Sequence, residues 1–171
     1  DVAYSAWYYE AVRTAYKNGR MAGMTRTKFA PEELVTRAQF AAVLYAMAGA
    51  PNTSGIDCPF HDVQKESWEY KYIAWAYKKG LTAGTSATNY SPNTHITRQQ
   101  MALMLYRNAG SPYCIGTWFR FDDASEIGQS YRSAVSWAVY NGIMNGYENN
   151  TFRPNAFVNR AQLAVISSKD I

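Results

Sequence analysis

Three arginines stand in nearly the same hexapeptide: Arg37 in VTRAQF (35–40), Arg98 in ITRQQM (96–101) and Arg160 in VNRAQL (158–163). Each copy holds an apolar residue, Thr or Asn, Arg, a variable residue, Gln and a second apolar residue. With Thr36 as a helix N-cap, Gln39 falls at the third helical position and completes a capping box, while Val35 and Phe40 become the partners of a hydrophobic staple. Thr97 with Gln100, and Asn159 with Gln162, repeat the arrangement. Capping thus explains every fixed position but the arginine. At the first helical position the helix dipole disfavours a cation by roughly 0.3–1 kcal/mol, so three such arginines imply that something anionic is held there. A helix N-terminus with free N–H groups beside a guanidinium fork suits a carboxylate or a phosphate. The anion could equally be internal, one of the repeated aspartates Asp1, Asp62 and Asp123. On the residues alone both readings stand.

Little else in the chain offers chemistry. His61 and His95 belong to no metal or nucleophile motif and no paired-carboxylate signature is present, so neither an enzyme nor a cofactor is expected. His61, beside Asp62, reads as a surface residue. Cys58 and Cys114 lack the spacing of a zinc site or a CxxC redox motif. A disulfide between them, contributing roughly 3–4 kcal/mol in the chain-entropy model, and two free thiols are both open.

The elements that position the arginines form an internal repeat. Arg37, Arg98 and Arg160 are 61 and 62 residues apart, and Gly19/Gly80/Gly142, Gly23/Gly84/Gly146, Phe29/Tyr90/Phe152 and Pro31/Pro92/Pro154 keep the same offsets. The repeats are taken as 1–51, 52–113 and 114–171. Each reads as helix, loop, helix. The first helix is predicted over about 5–18, 66–79 and 129–141, with an apolar face such as Val12-Ala15-Tyr16 or Ile73-Ala76-Tyr77. Gly19, Gly80 and Gly142 then stop it in the left-handed conformation. The second helix starts at the arginine motif, and Gly49 and Gly110 close its first two copies. A lone unit of this size buries too little to be stable, so the three should share a core. The fold class predicted is all-α, three helix-loop-helix repeats in a pseudo-threefold arrangement around a central bundle of the second helices.

Composition narrows the partners. The chain of 171 residues is 47% hydrophobic and 18% charged, as a packed protein is. Its longest apolar run, FAAVLYAMAGA, falls far short of the ~20 residues of a membrane span. No signal peptide is evident and Asp1 opens directly into patterned sequence, as expected of an excised or mature segment. A net charge of +4 permits an anionic partner, but a nucleic-acid binder would need a denser basic face. Fourteen Tyr and five Trp can supply stacking platforms for sugars or bases as well as core.

The chain resembles three tandem S-layer homology domains. The residues that carry the likeness are the Phe-x-Asp starts (Phe60, Asp62; Phe121, Asp123), Trp7 and Trp68, the Gly-x-x-x-Gly pairs, and GIMNGYENNTFRPNAFVNRAQ at 142–162. The resemblance implies a noncovalent anchor of exported proteins to the bacterial cell wall, extracellular, at the wall or surface layer. Its implied partner is a secondary cell-wall polysaccharide linked to peptidoglycan and ending in pyruvylated N-acetylmannosamine, whose pyruvyl ketal carries a carboxylate. Carried over residue by residue, grooves between repeats hold the sugar. One uses Arg37 and Gly23 with Asp62 and Trp68, a second Arg98 and Gly84 with Asp123, and a third Arg160 with Asp1 and Trp7; Gly146 is the third loop glycine. Glycine there lets backbone approach the sugar closely. Trp7 and Trp68 as ordinary helix-face packing is the competing reading.

Three departures from the family pattern carry expectations of their own. Gln39, Gln100 and Gln162 replace the family's glutamate, which keeps the cap but loses its charge. Repeat three lacks Trp at its helix start, so the groove of Arg160 is expected to be the weaker or empty one. GTSATNY replaces the usual turn in repeat two, so that loop is expected to differ. A helical nucleic-acid binder and a pure oligomerisation module are the alternatives. If Arg37 serves a ligand alone, Arg37→Ala leaves stability level or slightly higher.

Overall fold

The computed structural model describes all 171 residues. It is helical and contains no strands. The second helices are α2 (Arg37–Met47), α4 (Arg98–Asn108) and α6 (Arg160–Ser167); the first are α1 (Tyr9–Lys17), α3 (Tyr70–Lys78) and α5 (Arg132–Tyr140). Each second helix begins at its arginine because the capping box forms in full. Thr36 Oγ1 accepts from Gln39 N at 3.1 Å while Thr36 N donates to Gln39 Oε1 at 2.9 Å. Thr97/Gln100 and Asn159/Gln162 do the same. The first helices start later than their apolar spacing suggests. Residues before them form tight turns instead, with Tyr9 N donating to Ala6 O and Tyr70 N to Ser67 O. Repeat three replaces those turns with 3-10 segments at Trp118–Arg120, Ala124–Glu126 and Gln129–Tyr131.

Helices of eight to eleven residues are marginal alone and depend on packing. The chain divides into two compact units, Asp1–His95 with Val158–Asp170, and Ile96–Phe157. In the first, α2 packs on α3, α1 on α6, and α2 also touches α6. In the second, α4 packs on α5. A second helix therefore packs against the first helix of the following repeat, and α6 against that of repeat one. The packing pairs straddle the boundaries at 51/52 and 113/114 taken from the sequence, because the buried faces interlock between repeats. Phe40, Leu44, Ile73 and Tyr90 are fully buried in the first unit, and Met101, Leu105, Val135 and Phe152 in the second.

Both cysteines are free. Cys58 packs against a cluster that includes Phe60, Val63 and Ile73. The Cys114 thiol donates to Ser133 O at 3.3 Å, and burial pushes its pKa up. Titration of the native, unreduced protein is expected to find two thiols.

Candidate functional site

The loop between helices is built around the repeated aspartates. Asp62 accepts from Tyr90 N and Ser91 N, both at 2.8 Å, through its two carboxylate oxygens. Asp1 holds Phe29 N and Ala30 N in the same way, and Asp123 holds Phe152 N and Arg153 N. The second amide in each case belongs to a non-glycine residue in the left-handed region: Ala30 at φ 58°, Ser91 at 58° and Arg153 at 55°. A carboxylate gripping two successive amides offsets the roughly 1–2 kcal/mol that such a backbone costs. Asp62 and Asp123 thus spend their oxygens on the loop rather than on the arginines. Asp62→Ala is expected to lower stability by roughly 1–2 kcal/mol, since the carboxylate is solvent-exposed, and to leave ligand binding per folded molecule unchanged. Chemical denaturation beside a binding assay checks it.

The arginines reach into the loop of the following repeat. Arg37 Nε donates to Tyr90 O at 2.8 Å, Arg98 Nε to Phe152 O at 2.8 Å and Arg160 Nε to Phe29 O at 2.7 Å. Each guanidinium also lies over the ring of that same residue, 4.5–4.6 Å from its centroid. Arg98 and Arg160 add a bond from Nη2, to Asn145 O and Ala22 O, both at 2.6 Å. All three side chains are buried, with 4%, 7% and 7% of their surface exposed. Burial pushes the Arg98 and Arg160 pKa values down, yet an arginine stays charged. None of them forms an ion pair with a carboxylate. The ion pairs Arg13–Glu10, Arg20–Asp170 and Lys65–Asp57 lie elsewhere.

Two expectations change here. The helix N-termini offer no free N–H groups to a ligand: Arg160 N and Ala161 N donate to Glu33 O and Pro31 O, and Gln162 N to its cap. Arg37 N and Ala38 N donate likewise to Thr94 O and Pro92 O, and Arg98 N and Gln99 N to Ala156 O and Pro154 O. At these helix starts the guanidiniums, rather than the backbone amides, are left to donate. They are also pins for the loop, so their removal cannot leave stability level.

In the first unit the parts converge on a cleft of about 410 Å³. Arg160 and Gly23 line it with Trp68 and Tyr72, and α2 supplies Gln39 and Tyr45. Of the five N–H donors of a guanidinium, Arg160 spends two on Phe29 O and Ala22 O and keeps three. Trp68 is 59% exposed and Trp7 is 70% exposed, so neither is core packing. The sequence grouped Gly23 and Trp68 with Arg37; the structure gives them Arg160, since each arginine serves the loop of the next repeat. The missing Trp of repeat three therefore takes nothing from the cleft of Arg160. Asp1 reaches that neighbourhood only through Phe29, and Trp7 does not line this cleft.

The loop glycines are explained by the loops themselves. A Cβ on Gly23 would meet Thr25 O at 2.5 Å, one on Gly84 would meet Asn89 O at 2.5 Å, and one on Gly146 would strike the Phe121 ring. The loop of repeat two closes as that of repeat one does, Thr85 N and Ser86 N donating to Asn89 O as Met24 N and Thr25 N do to Lys28 O. Arg20, Tyr45 and Tyr72 were missed in the sequence. Arg20 also lines the cleft, and its guanidinium donates to Ser167 O and Lys169 O at the end of α6. Leu81 and Ile143 hold the equivalent place, so a search for repeated residues passes over it.

These features define a helical repeat module presenting a cationic, aromatic-lined cleft. Residues 1–41, 59–102 and 120–164 match the S-layer homology domain, and the chain belongs to that family. It is 32% identical over 170 residues to a surface-layer 125 kDa protein of Lysinibacillus sphaericus, covering 98% of this chain and 14% of that protein. It is 25% identical over 148 residues to a cellulosome-anchoring protein of Acetivibrio thermocellus, covering 84% and 33%. An amylopullulanase of Thermoanaerobacterium thermosulfurigenes is 30% identical over 168 residues, only 9% of that enzyme. The chain thus spans a third or less of the length of these relatives. Membership makes it a cell-surface anchoring module, located outside the cell at the wall or surface layer. No helix is long and apolar enough to cross a membrane.

Proposed function

We propose that this chain anchors noncovalently by binding an anionic secondary cell-wall polysaccharide linked to peptidoglycan, with the carboxylate of a pyruvyl ketal received by the arginines. The observation that carries the reading is Arg160: a buried cation without a carboxylate partner, keeping unspent donors in a cleft beside an exposed tryptophan. A buried charge held only by neutral carbonyls is costly, and a ligand carboxylate would complete it with charge-assisted bonds. Trp68 would stack on the sugar ring. Arg37 and Arg98, whose Nε atoms are likewise bonded to loop carbonyls, would each receive a further carboxylate, with Trp7 as a second platform. The pseudo-threefold arrangement of the repeats belongs to this proposal, supported by the recurrence of one packing pair for every repeat.

Sedimentation with purified cell walls tests it. The protein is expected to pellet with intact walls and to stay in solution once the nonpeptidic polymer has been stripped. Undiminished pelleting with stripped walls contradicts the reading, and competition by polyanionic nucleic acid at equal charge would favour nonspecific cation binding instead.

A further inference from the structure

A second groove, of about 650 Å³, lies in repeat one between α1 and the turn at 24–28. No residue of the arginine motifs lines it, but it shares Ala22 and Gly23 with the cleft of Arg160, so the two are continuous. Its lining combines buried Val12 and Phe29 with the rings of Tyr9 and Tyr16. Three cations also line it, Arg13, Arg26 and Lys28, and no aspartate or glutamate does. Arg13 reaches Glu10 at 3.5 Å, an exposed pair that holds it weakly. Arg26 and Lys28 have no carboxylate partner. The turn that carries these two is fixed: Met24 N donates to Lys28 O at 2.8 Å and Lys28 N to Thr25 Oγ1 at 3.1 Å. The fold does not require the charges. All three residues are exposed, and the equivalent positions are Ala74, Ala87 and Asn89 in repeat two and Ser136, Asn149 and Thr151 in repeat three. Like charges gathered without a counter-charge repel one another, and an anion in the groove would relieve that.

We infer that repeat one carries a second binding site, without counterpart in the other repeats: Arg13, Arg26 and Lys28 receive an acidic group on a further sugar unit of the polysaccharide strand held in the cleft of Arg160. This rests on the proposed binding of an anionic wall polysaccharide. Continuity through Ala22 and Gly23 lets one strand occupy both places. The rings of Tyr9 and Tyr16 offer faces for the sugar units of that strand. Exposed cations bind an isolated acid weakly. Joined to a strand already held next door, the second contact becomes intramolecular and adds to affinity without having to be strong by itself. The site therefore distinguishes a multiply charged chain from a single acidic sugar.

The test is calorimetric titration with two ligands, purified wall polysaccharide and the methyl glycoside of a single pyruvylated sugar. The variant Arg13→Gln/Arg26→Gln/Lys28→Gln is compared with wild type and with Lys78→Gln/Lys79→Gln/Arg120→Gln, which removes the same three charges from exposed positions outside the groove. Both variants should melt near wild type. The groove variant should bind the polysaccharide about tenfold more weakly and the glycoside as wild type does. The double variant Arg26→Gln/Lys28→Gln, which leaves α1 untouched, should show part of that loss. The control variant should bind the polysaccharide within about twofold of wild type. Equal losses in groove and control variants would reduce the effect to net charge and overturn the second site. So would an equal loss for the glycoside, since the cations would then act on the cleft of Arg160. If wild type binds both ligands and the groove variant matches it on both, the second site is overturned while the anionic-polysaccharide reading stands. If wild type binds neither ligand, that reading fails and takes this inference with it.

Discussion

Arg160→Ala is expected to lower stability by roughly 2–4 kcal/mol and to weaken binding of a carboxylate sugar in the cleft by roughly ten- to a hundred-and-fifty-fold. The stability change has two losses and one gain. Phe29 O and Ala22 O lose their donors at 2.7 and 2.6 Å; Ala22 is exposed and can turn to water, but Phe29 O is left as an orphaned buried carbonyl, which costs about 1–3 kcal/mol. The cation stacked on the Phe29 ring goes as well, which is a contact contributing about 0.5–2 kcal/mol. Relief of the unfavourable helix dipole returns only about 0.3–1 kcal/mol. The first two outweigh the third, so the dipole argument drawn from the sequence gives the wrong sign. Binding should fall because a charge-assisted fork contributes about 1.5–3 kcal/mol, a factor of roughly ten to a hundred and fifty. Arg160→Lys keeps the charge but has one nitrogen for two carbonyls and a ligand, so it should lose most of the binding too. Thermal melts, with binding measured well below the midpoint, separate the two effects. Wild-type stability in Arg160→Ala would show that the guanidinium does not pin the loop.

The second large effect is expected at Gly84. This residue has φ +81°, and a Cβ there would meet Asn89 O and the Phe60 ring, both at 2.5 Å, and Ser86 O at 2.7 Å. Backbone oxygens cannot swing aside as a flexible side-chain end can. Gly84→Ala therefore combines a left-handed penalty of about 1–2 kcal/mol with displacement of the loop, for a total of roughly 3 kcal/mol or more. Gly19 is the control. Its φ is +67° but a Cβ there meets nothing within 4 Å, so Gly19→Ala should show the conformational cost alone, about 1 kcal/mol. Chemical denaturation of the two variants side by side checks the difference. Equal losses would mean that the tight loop packing around Gly84 is not real.

The local devices were legible in the sequence because they depend on residues a few positions apart. The capping boxes at Thr36, Thr97 and Asn159 and the glycine stops at Gly19, Gly80 and Gly142 follow from spacing alone. That each second helix starts on an arginine was also readable, and the anion expected there remains the proposal made above. What spacing could not reveal is where a side chain of one repeat ends up in another. Arg160 meets Phe29 across 131 residues of chain, and the aspartates turned out to hold backbone amides that no pattern advertises. The helix N–H groups expected to be free for a ligand found partners in loop carbonyls of another repeat. Arg20 carries its contact in one repeat only, so self-comparison of the chain is blind to it.

The reading stands or falls on whether a carboxylate is what the cleft receives, and calorimetric titration of the unmodified protein asks this without any substitution. Purified wall polysaccharide would be titrated before and after mild acid removal of its pyruvyl ketals, at fixed ionic strength, with polymer length confirmed unchanged. Binding is predicted to weaken tenfold or more once the carboxylates are gone, matching the loss of a charge-assisted fork. Equal affinity for the two polymers would contradict the account, leaving Arg37, Arg98 and Arg160 as pins of the loops and nothing more.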